Sequence, residues 1–177
     1  MKNFSDKLKL VIGNPSRFFD KVRKEDMWPA FSYYAVLLLI PTIIIMILLS
    51  AASYSALGFF HTLGVAAGIA AGAVFYTVAL AFGFISSAIT HLFVYLMGGR
   101  KGYTNTYKSV VYGNTPVVLF CWLPLLNMIS GIWSYYLTIK GISKLHGMSM
   151  QRAFFATILP LIIILAVVAV LLLFVLF

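Results

Sequence analysis

Long uncharged, apolar stretches alternate with short basic ones along this chain. No Asp, Glu, Lys or Arg occurs between residues 28 and 99, and none occurs in 153–177. All 13 Lys and Arg lie instead in 1–28, 98–108 and 140–152. A helix that crosses a bilayer needs about 20 consecutive apolar residues. The pattern therefore predicts membrane-spanning helices that connect basic segments.

The apolar stretches divide into five predicted spans. Their approximate bounds are 30–53, 73–97, 105–122, 128–144 and 150–177. The second tract is too long for a simple crossing, because at about 1.5 Å per residue it would exceed a hydrocarbon core of about 30 Å. We expect its helix to break near the glycines, although a tilt or an extension from residue 61 also fits. The sequence leaves open whether residues 54–72 re-enter the membrane, extend the helix or lie flat.

The basic segments also predict the orientation in the membrane. Cytoplasmic loops of membrane proteins carry the excess of Lys and Arg. With five spans, all three basic segments lie inside, and the external segments 54–62 and 123–127 contain neither Lys nor Arg. We therefore predict an all-α, polytopic integral membrane protein with its N-terminus inside and its C-terminus outside.

Residues 1–28 are predicted to form a cytoplasmic, amphipathic helix at the membrane interface, ahead of a membrane domain at 29–177. Asn14, followed by proline, is typical of the residue that caps a helix start. Phe18 and Phe19 share one helical face, and basic side chains occupy another. Such a helix would lie in the headgroup plane with its aromatic rings toward the acyl chains. A solvated, charged tail is the alternative.

Composition excludes several classes of protein. The chain is 62% hydrophobic and 10% charged, whereas soluble domains contain about 25% charged residues. The net charge of +9 comes from cations that flank apolar spans, so we expect lipid headgroups as partners rather than nucleic acid. The single cysteine, Cys121, excludes an intramolecular disulfide. Four acidic residues ahead of the first apolar run argue against a cleaved secretory leader.

Small residues recur along the second span. Small side chains let helix backbones approach closely in a membrane. Two interpretations fit the pattern: packing of the second span inside the protein, and an interface between copies of the chain. The helix-packing candidates are Gly64, Gly68, Gly72 and Gly83.

The third span contains a predicted helix break. Proline has no N–H, so the carbonyl four residues earlier loses its helical partner. Broken helices line the binding cavities of transporters, whereas a plain kink needs only neighbours that satisfy the freed carbonyl. A histidine in the inner third of the second span is either part of such a cavity or a structural hydrogen-bond partner. The candidates are Tyr112, Gly113, Asn114, Thr115, Pro116 and His91.

Catalytic signatures are absent from the sequence. It contains no His-Glu-x-x-His motif, no Gly-x-Ser-x-Gly motif and no phosphate-binding glycine loop. The predicted spans hold no carboxylate, although ion-coupled carriers commonly use one. We therefore expect that the protein is not an enzyme and has no catalytic residue, cofactor or metal site.

Several short motifs follow one another through both halves of the chain. They are Asn14-Pro15-Ser16-Arg17-Phe18-Phe19, Gly98-Gly99-Arg100-Lys101-Gly102-Tyr103, Tyr112 with Thr115-Pro116, Trp122-Leu123-Pro124, Gly131-Ile132-Trp133, Gly141, and Leu145-His146-Gly147-Met148-Ser149. In this order and spacing they resemble the membrane domain of the Yip (Ypt/Rab-interacting-protein) family. The resemblance implies a five-span helical fold with a cytosolic N-terminus.

The resemblance also bears on function. For eukaryotic relatives it implies a role in trafficking and binding of prenylated, Rab-type small GTPases at Golgi membranes. The short segment 1–28 favours a prokaryotic-type member in the cytoplasmic (plasma) membrane of a bacterium or archaeon, where such partners do not exist. We expect a non-enzymatic protein that organises the membrane or scaffolds partners, either as a homo-oligomer or with another membrane protein. The alternative is a small transporter or channel for a lipid or apolar solute that uses the broken third helix.

Overall fold

The computed structural model describes residues 4–57 and 61–176, and every regular element in them is a helix. This confirms the all-α prediction. The helices are α1 (Phe4–Gly13), α2 (Pro15–Val22), α3 (Trp28–Leu57), α4 (His61–Leu96), α5 (Tyr103–Gly113), α6 (Thr115–Phe120), α7 (Pro124–His146) and α8 (Met150–Leu176).

Three helices of the described chain are long and apolar enough to cross a membrane. They contain the stretches Trp28–Ala52, Gly64–Leu96 and Met150–Phe174. The membrane class is thereby confirmed, while the count of five spans stays a prediction. The reason lies in the third and fourth predicted spans: α5 and α6 have only 11 and 6 residues, and α7 is less apolar than the other long helices.

The second predicted span is one uninterrupted helix of 36 residues. The expected break near its glycines is therefore wrong. Gly68 lies against Ser50, and Gly72 lies against the side chain of Met46. The missing side chains thus let α3 approach α4 closely while the backbone hydrogen bonds of α4 continue. Of residues 54–72, those at 54–57 end α3, those at 61–72 begin α4, and 58–60 lie outside the described residues.

Gly68, Gly72 and Gly83 of α4 lie on the side that faces α3. Gly64, Gly68 and Gly72 are buried, whereas the residues between Gly64 and Gly68 are exposed. Further along, Gly83 lies against the ring of Tyr34 on α3. These positions lie in the α3–α4 contact, the most extensive helix–helix contact in the described chain, so the small residues serve packing within one copy of the protein.

The N-terminal layer, defined as α1 and α2, packs on the membrane helices. Asn14 caps α2 by accepting a hydrogen bond from the Arg17 N–H at 3.1 Å, as predicted. Phe18 and Phe19 are completely buried, and the Phe19 ring lies against Gly141 of α7. The expectation that these rings point into the acyl chains is therefore wrong, because the protein itself covers them. The position of the layer at the membrane interface stays a prediction.

Glycines with positive φ form the turns at the basic end of the helices. Gly98 and Gly102 have φ values of 95° and 82° and flank the turn between α4 and α5. Gly147 has a φ of 71° and ends α7, where its N–H donates to the Ser143 carbonyl. Glycine adopts this backbone without strain, and both turns lie between spans that the sequence predicts.

Candidate functional site

The helix break of the third predicted span is present. Helix α5 ends at Gly113 and α6 begins at Thr115, so Asn114 separates them. Pro116 removes the N–H that would bind the carbonyl of Tyr112. The hydroxyl of Thr115 replaces it and donates to this carbonyl at 2.7 Å. The break therefore does not leave the Tyr112 carbonyl without a hydrogen-bond donor.

Helix α7 supports the other side of the break. The hydroxyl of Ser134 accepts a hydrogen bond at 2.9 Å from the N–H of Val117, in the first turn of α6. Gly113 lies directly against the backbone of Thr138, where a Cβ would come within 2.8 Å of the Thr138 Cα. A residue larger than glycine at this position would push α5 away from α7.

Thr115 faces α3 and is completely buried. Its hydroxyl lies 3.0 Å from that of Tyr33. Because Thr115 donates its single proton to the Tyr112 carbonyl, Tyr33 must donate to Thr115. Thr115 is thus fully hydrogen-bonded inside the protein and does not line an open cavity.

Tyr112 points toward the N-terminal layer. Its hydroxyl accepts a hydrogen bond from the Lys7 ammonium at 3.0 Å and lies 3.4 Å from the Glu25 carboxylate. Lys7 and Glu25 form an ion pair at 2.8 Å, and Lys7 is 6% exposed. The break is therefore connected to a buried ion pair that the sequence did not reveal.

Lys108, one turn before Tyr112, is a second cation that sequence reasoning missed. It is 1% exposed and donates to the carbonyls of Val22, Arg23 and Glu25 at 3.1, 3.2 and 2.7 Å. The last carbonyls of a helix lack partners within it, and a cation there also interacts favourably with the helix dipole. Lys108 thus caps the end of α2. Its position inside a predicted span was the available signal, because ionisable groups at such places are seldom free.

His91 lies in a separate cluster. Its Nδ1 is 2.8 Å from the hydroxyl of Thr106, which is 3.0 Å from Nε2 of His146. His91 therefore forms a hydrogen bond that joins α4 to α5, rather than a cavity with Asn114. His146, beyond the predicted fourth span, is 5% exposed. Burial, together with the nearby His91 and Lys101, lowers its pKa to about 4.

Among the candidates, Asn114 faces an open cavity. The cavity has a volume of about 260 Å³ and lies between α4, α6, α7 and α8. Asn114 has no side-chain hydrogen bond to the described part of the chain. We call this cavity the polar groove; its polar lining includes Ser86, Thr90, Asn114, Ser134, Thr138 and Thr157.

The predicted site is thus divided among four places. Tyr112 binds the N-terminal layer, Thr115 binds α3, and Asn114 borders the polar groove. His91 belongs to a fourth place near the basic end of the helices. The sequence located the break, but the hydroxyls of α4, α7 and α8 that complete the groove carry no motif of their own.

Comparison with known proteins identifies a protein family. The family model of the Yip1 domain matches residues 9–171, which is nearly the whole chain and includes the break and both basic turns. No curated protein and no solved structure matches. The resemblance found in the sequence motifs is confirmed, and the chain belongs to the Yip1 domain family.

Proposed function

We propose that this protein is a non-enzymatic membrane scaffold whose N-terminal layer presents a fixed basic surface to lipids and protein partners. The observation that carries the proposal is the buried attachment of this layer. Lys7 and Lys108 are both almost fully buried where the layer meets α5. A buried charge is tolerated only when it is paired or hydrogen-bonded, so a layer held in this way is part of the fold rather than a loose tail.

The outer side of the layer carries basic side chains that are exposed and can contact lipids or partners. Lys9, Arg17 and Lys21 of the layer are exposed, as is Lys24 just beyond it, while the aromatic side of α2 is buried. Each Lys or Arg close to an anionic membrane surface contributes about 1 kcal/mol of attraction. The rigid layer therefore supports contact with anionic headgroups, or with an acidic partner, at the cytoplasmic face.

The same charges support a five-span topology. We propose α5 with α6 as the third span and α7 as the fourth, in addition to the three long apolar helices. Helix α7 has 23 residues, which is about 34 Å at 1.5 Å per residue and enough for a hydrocarbon core of about 30 Å. This arrangement keeps every basic segment inside, as in the cytoplasmic membrane of a bacterium or archaeon.

Native mass spectrometry of the protein in nanodiscs cut from its own membrane tests the scaffold. We expect a stoichiometric protein partner or a defined homo-oligomer. A double variant, Arg17→Glu with Lys21→Glu, should lose at least tenfold in partner or anionic-lipid occupancy. The matched control is Arg100→Glu, which reverses one exposed charge outside the N-terminal layer and should change occupancy little. The proposal would be contradicted by a monomer whose occupancy by partner or anionic lipid is the same with and without the charge reversal.

A small transporter is the second candidate. The polar groove favours it, because Asn114 and several hydroxyls face open space beside a broken helix. Thr115 and His91, which the sequence assigned to the same cavity, are hydrogen-bonded elsewhere. Transport would therefore depend on Asn114 and the groove, and uptake or flip of a lipid by purified protein in vesicles measures it.

A further inference from the structure

The polar groove lies deep in the membrane region of the protein. At about 1.5 Å per residue, Ser86 is roughly 15 Å from the end of α4 at Leu96. By the same measure, Asn114 is roughly 16 Å from the start of α5 at Tyr103. The hydrocarbon core is about 30 Å thick. In the five-span arrangement proposed above, the hydrogen-bonding groups of the groove therefore lie at the depth of the lipid tails instead of in bulk water.

The groove is open toward the bilayer. A Cβ placed on Gly131, one of its lining residues, would meet no atom within 4 Å. Phe82, another lining residue, is 61% exposed. No residue of 161–174 on α8 is buried, so this half of α8 does not close the opening. A lipid can therefore reach the groove from the side.

Two hydroxyls of the lining can act toward a ligand only as hydrogen-bond acceptors. The hydroxyl of Ser86 donates to the Gly83 carbonyl, and that of Thr138 donates to the Ser134 carbonyl. A hydroxyl has one proton and two lone pairs, so these groups keep lone pairs but no proton for a ligand. The lining contains neither Lys nor Arg, so nothing in it would neutralise a phosphate or a carboxylate.

Asn114 supplies the complementary groups. Its amide has two N–H donors and one acceptor, and it makes no capping bond to α6. A ligand that both donates and accepts matches this set: its O–H donates to a hydroxyl oxygen, and its own oxygen accepts from Asn114. An uncharged alcohol has this chemistry, whereas phosphates and carboxylates at neutral pH only accept.

We propose that the polar groove binds the free hydroxyl of a neutral lipid alcohol of the diacylglycerol class, which enters sideways from the bilayer. The acyl chains of such a lipid would stay among the membrane lipids, since the cavity of about 260 Å³ holds only a small headgroup. This binding goes beyond the scaffold role. It uses the groove of the second candidate function but does not require transport.

Photo-crosslinking in nanodiscs tests the proposal. The probe is a diacylglycerol with a diazirine near its glycerol, in phosphatidylcholine, and the matched probe is phosphatidic acid with the same chains. We expect at least tenfold more labelling by diacylglycerol, on peptides that border the groove. Asn114→Ala and Gly131→Leu should each lower it tenfold or more, Gly131→Ala should lower it less, and the lipid-facing Ile132→Phe should not change it.

Three results would overturn the proposal. Equal labelling by both probes would mean that the label reports only the lipids that surround the protein. Labelling that survives Asn114→Ala means that the groove is not the site. Crosslinks to a second protein chain in the groove mean that a partner helix occupies it. If Gly131→Leu fails to fold by size exclusion, Asn114→Ala and competition by unlabelled diacylglycerol decide alone. If Asn114→Ala loses labelling of the groove but transports lipid in vesicles as well as the unchanged protein, the groove binds the lipid and the transporter candidate is wrong.

Discussion

The ammonium of Lys108 lies 2.7 Å from the carbonyl oxygen of Glu25, a residue 83 positions earlier in the chain. This contact joins the loop after α2 to the middle of α5. It attaches the N-terminal layer to the broken helix formed by α5 and α6, so the two form one structural unit. Four predictions follow from contacts of this kind.

Lys108→Met should loosen the N-terminal layer. The change keeps the length of the side chain but leaves three carbonyls without their donor, so we expect the free energy of unfolding to fall by about 1–3 kcal/mol. Limited proteolysis between α2 and α3, together with thermal unfolding in detergent, measures the effect. The exposed Lys9→Met is the control. Equal proteolysis of both variants would mean that Lys108 does not hold the layer.

Thr115→Val should destabilise the helix break. Valine has nearly the same shape but cannot donate to the Tyr112 carbonyl or accept from Tyr33. Unpaired buried groups cost about 1–3 kcal/mol each. Thr115→Ser keeps the hydroxyl and should lose far less stability. Thermal unfolding compares the two, and a Thr115→Val protein as stable as Thr115→Ser would refute the role of this hydroxyl.

Gly68→Leu should disrupt the packing of α4 on α3. A leucine there would overlap Ser50, and overpacking of this kind costs about 1–3 kcal/mol. Ala67→Leu, on the exposed side of the same turn, is the matched control. Unfolding in detergent and native mass spectrometry read stability and assembly separately. Survival of both in Gly68→Leu would show that this glycine has no packing role.

His146 should make stability depend on pH. Its pKa is about 4 in the fold because of burial, His91 and Lys101, against about 6.5 in an unfolded chain. The unfolded state binds the proton first, so stability is full above about pH 6.5 and declines toward pH 4. His146→Gln should remove roughly 3 kcal/mol of this decline by pH 4. Unfolding curves from pH 7 to 4 test it, and equal slopes for both proteins would exclude His146 as the source.

The features that the sequence predicted well have local causes. Pro116 cannot complete a helical hydrogen bond wherever it is placed, so the break at Asn114 could be read from the chain. Gly147 ends α7 for an equally local reason, its positive φ. Basic segments likewise mark the ends of apolar helices without knowledge of packing.

The features that the sequence could not predict depend on which helices meet. Tyr112, Asn114 and Thr115 are neighbours in the chain, but α1, α7 and α3 decide what each one contacts. From the sequence, Lys7 looks like an ordinary surface cation, and only the fold places Tyr112 and Glu25 around it. Gly68 permits either a break or a close helix contact, and only the presence of α3 decides between them.

The hydrogen bond between Lys7 and Tyr112 spans 105 residues, and this separation has a consequence for biogenesis. A ribosome adds about 5–20 residues per second, so roughly 5–20 seconds pass between the synthesis of these two residues. The N-terminal layer is therefore translated well before the helices that it contacts in the folded protein. During that interval Phe18 and Phe19 have no partner on α5 or α7. We expect these apolar rings to bind the membrane surface until the two helices have been synthesised.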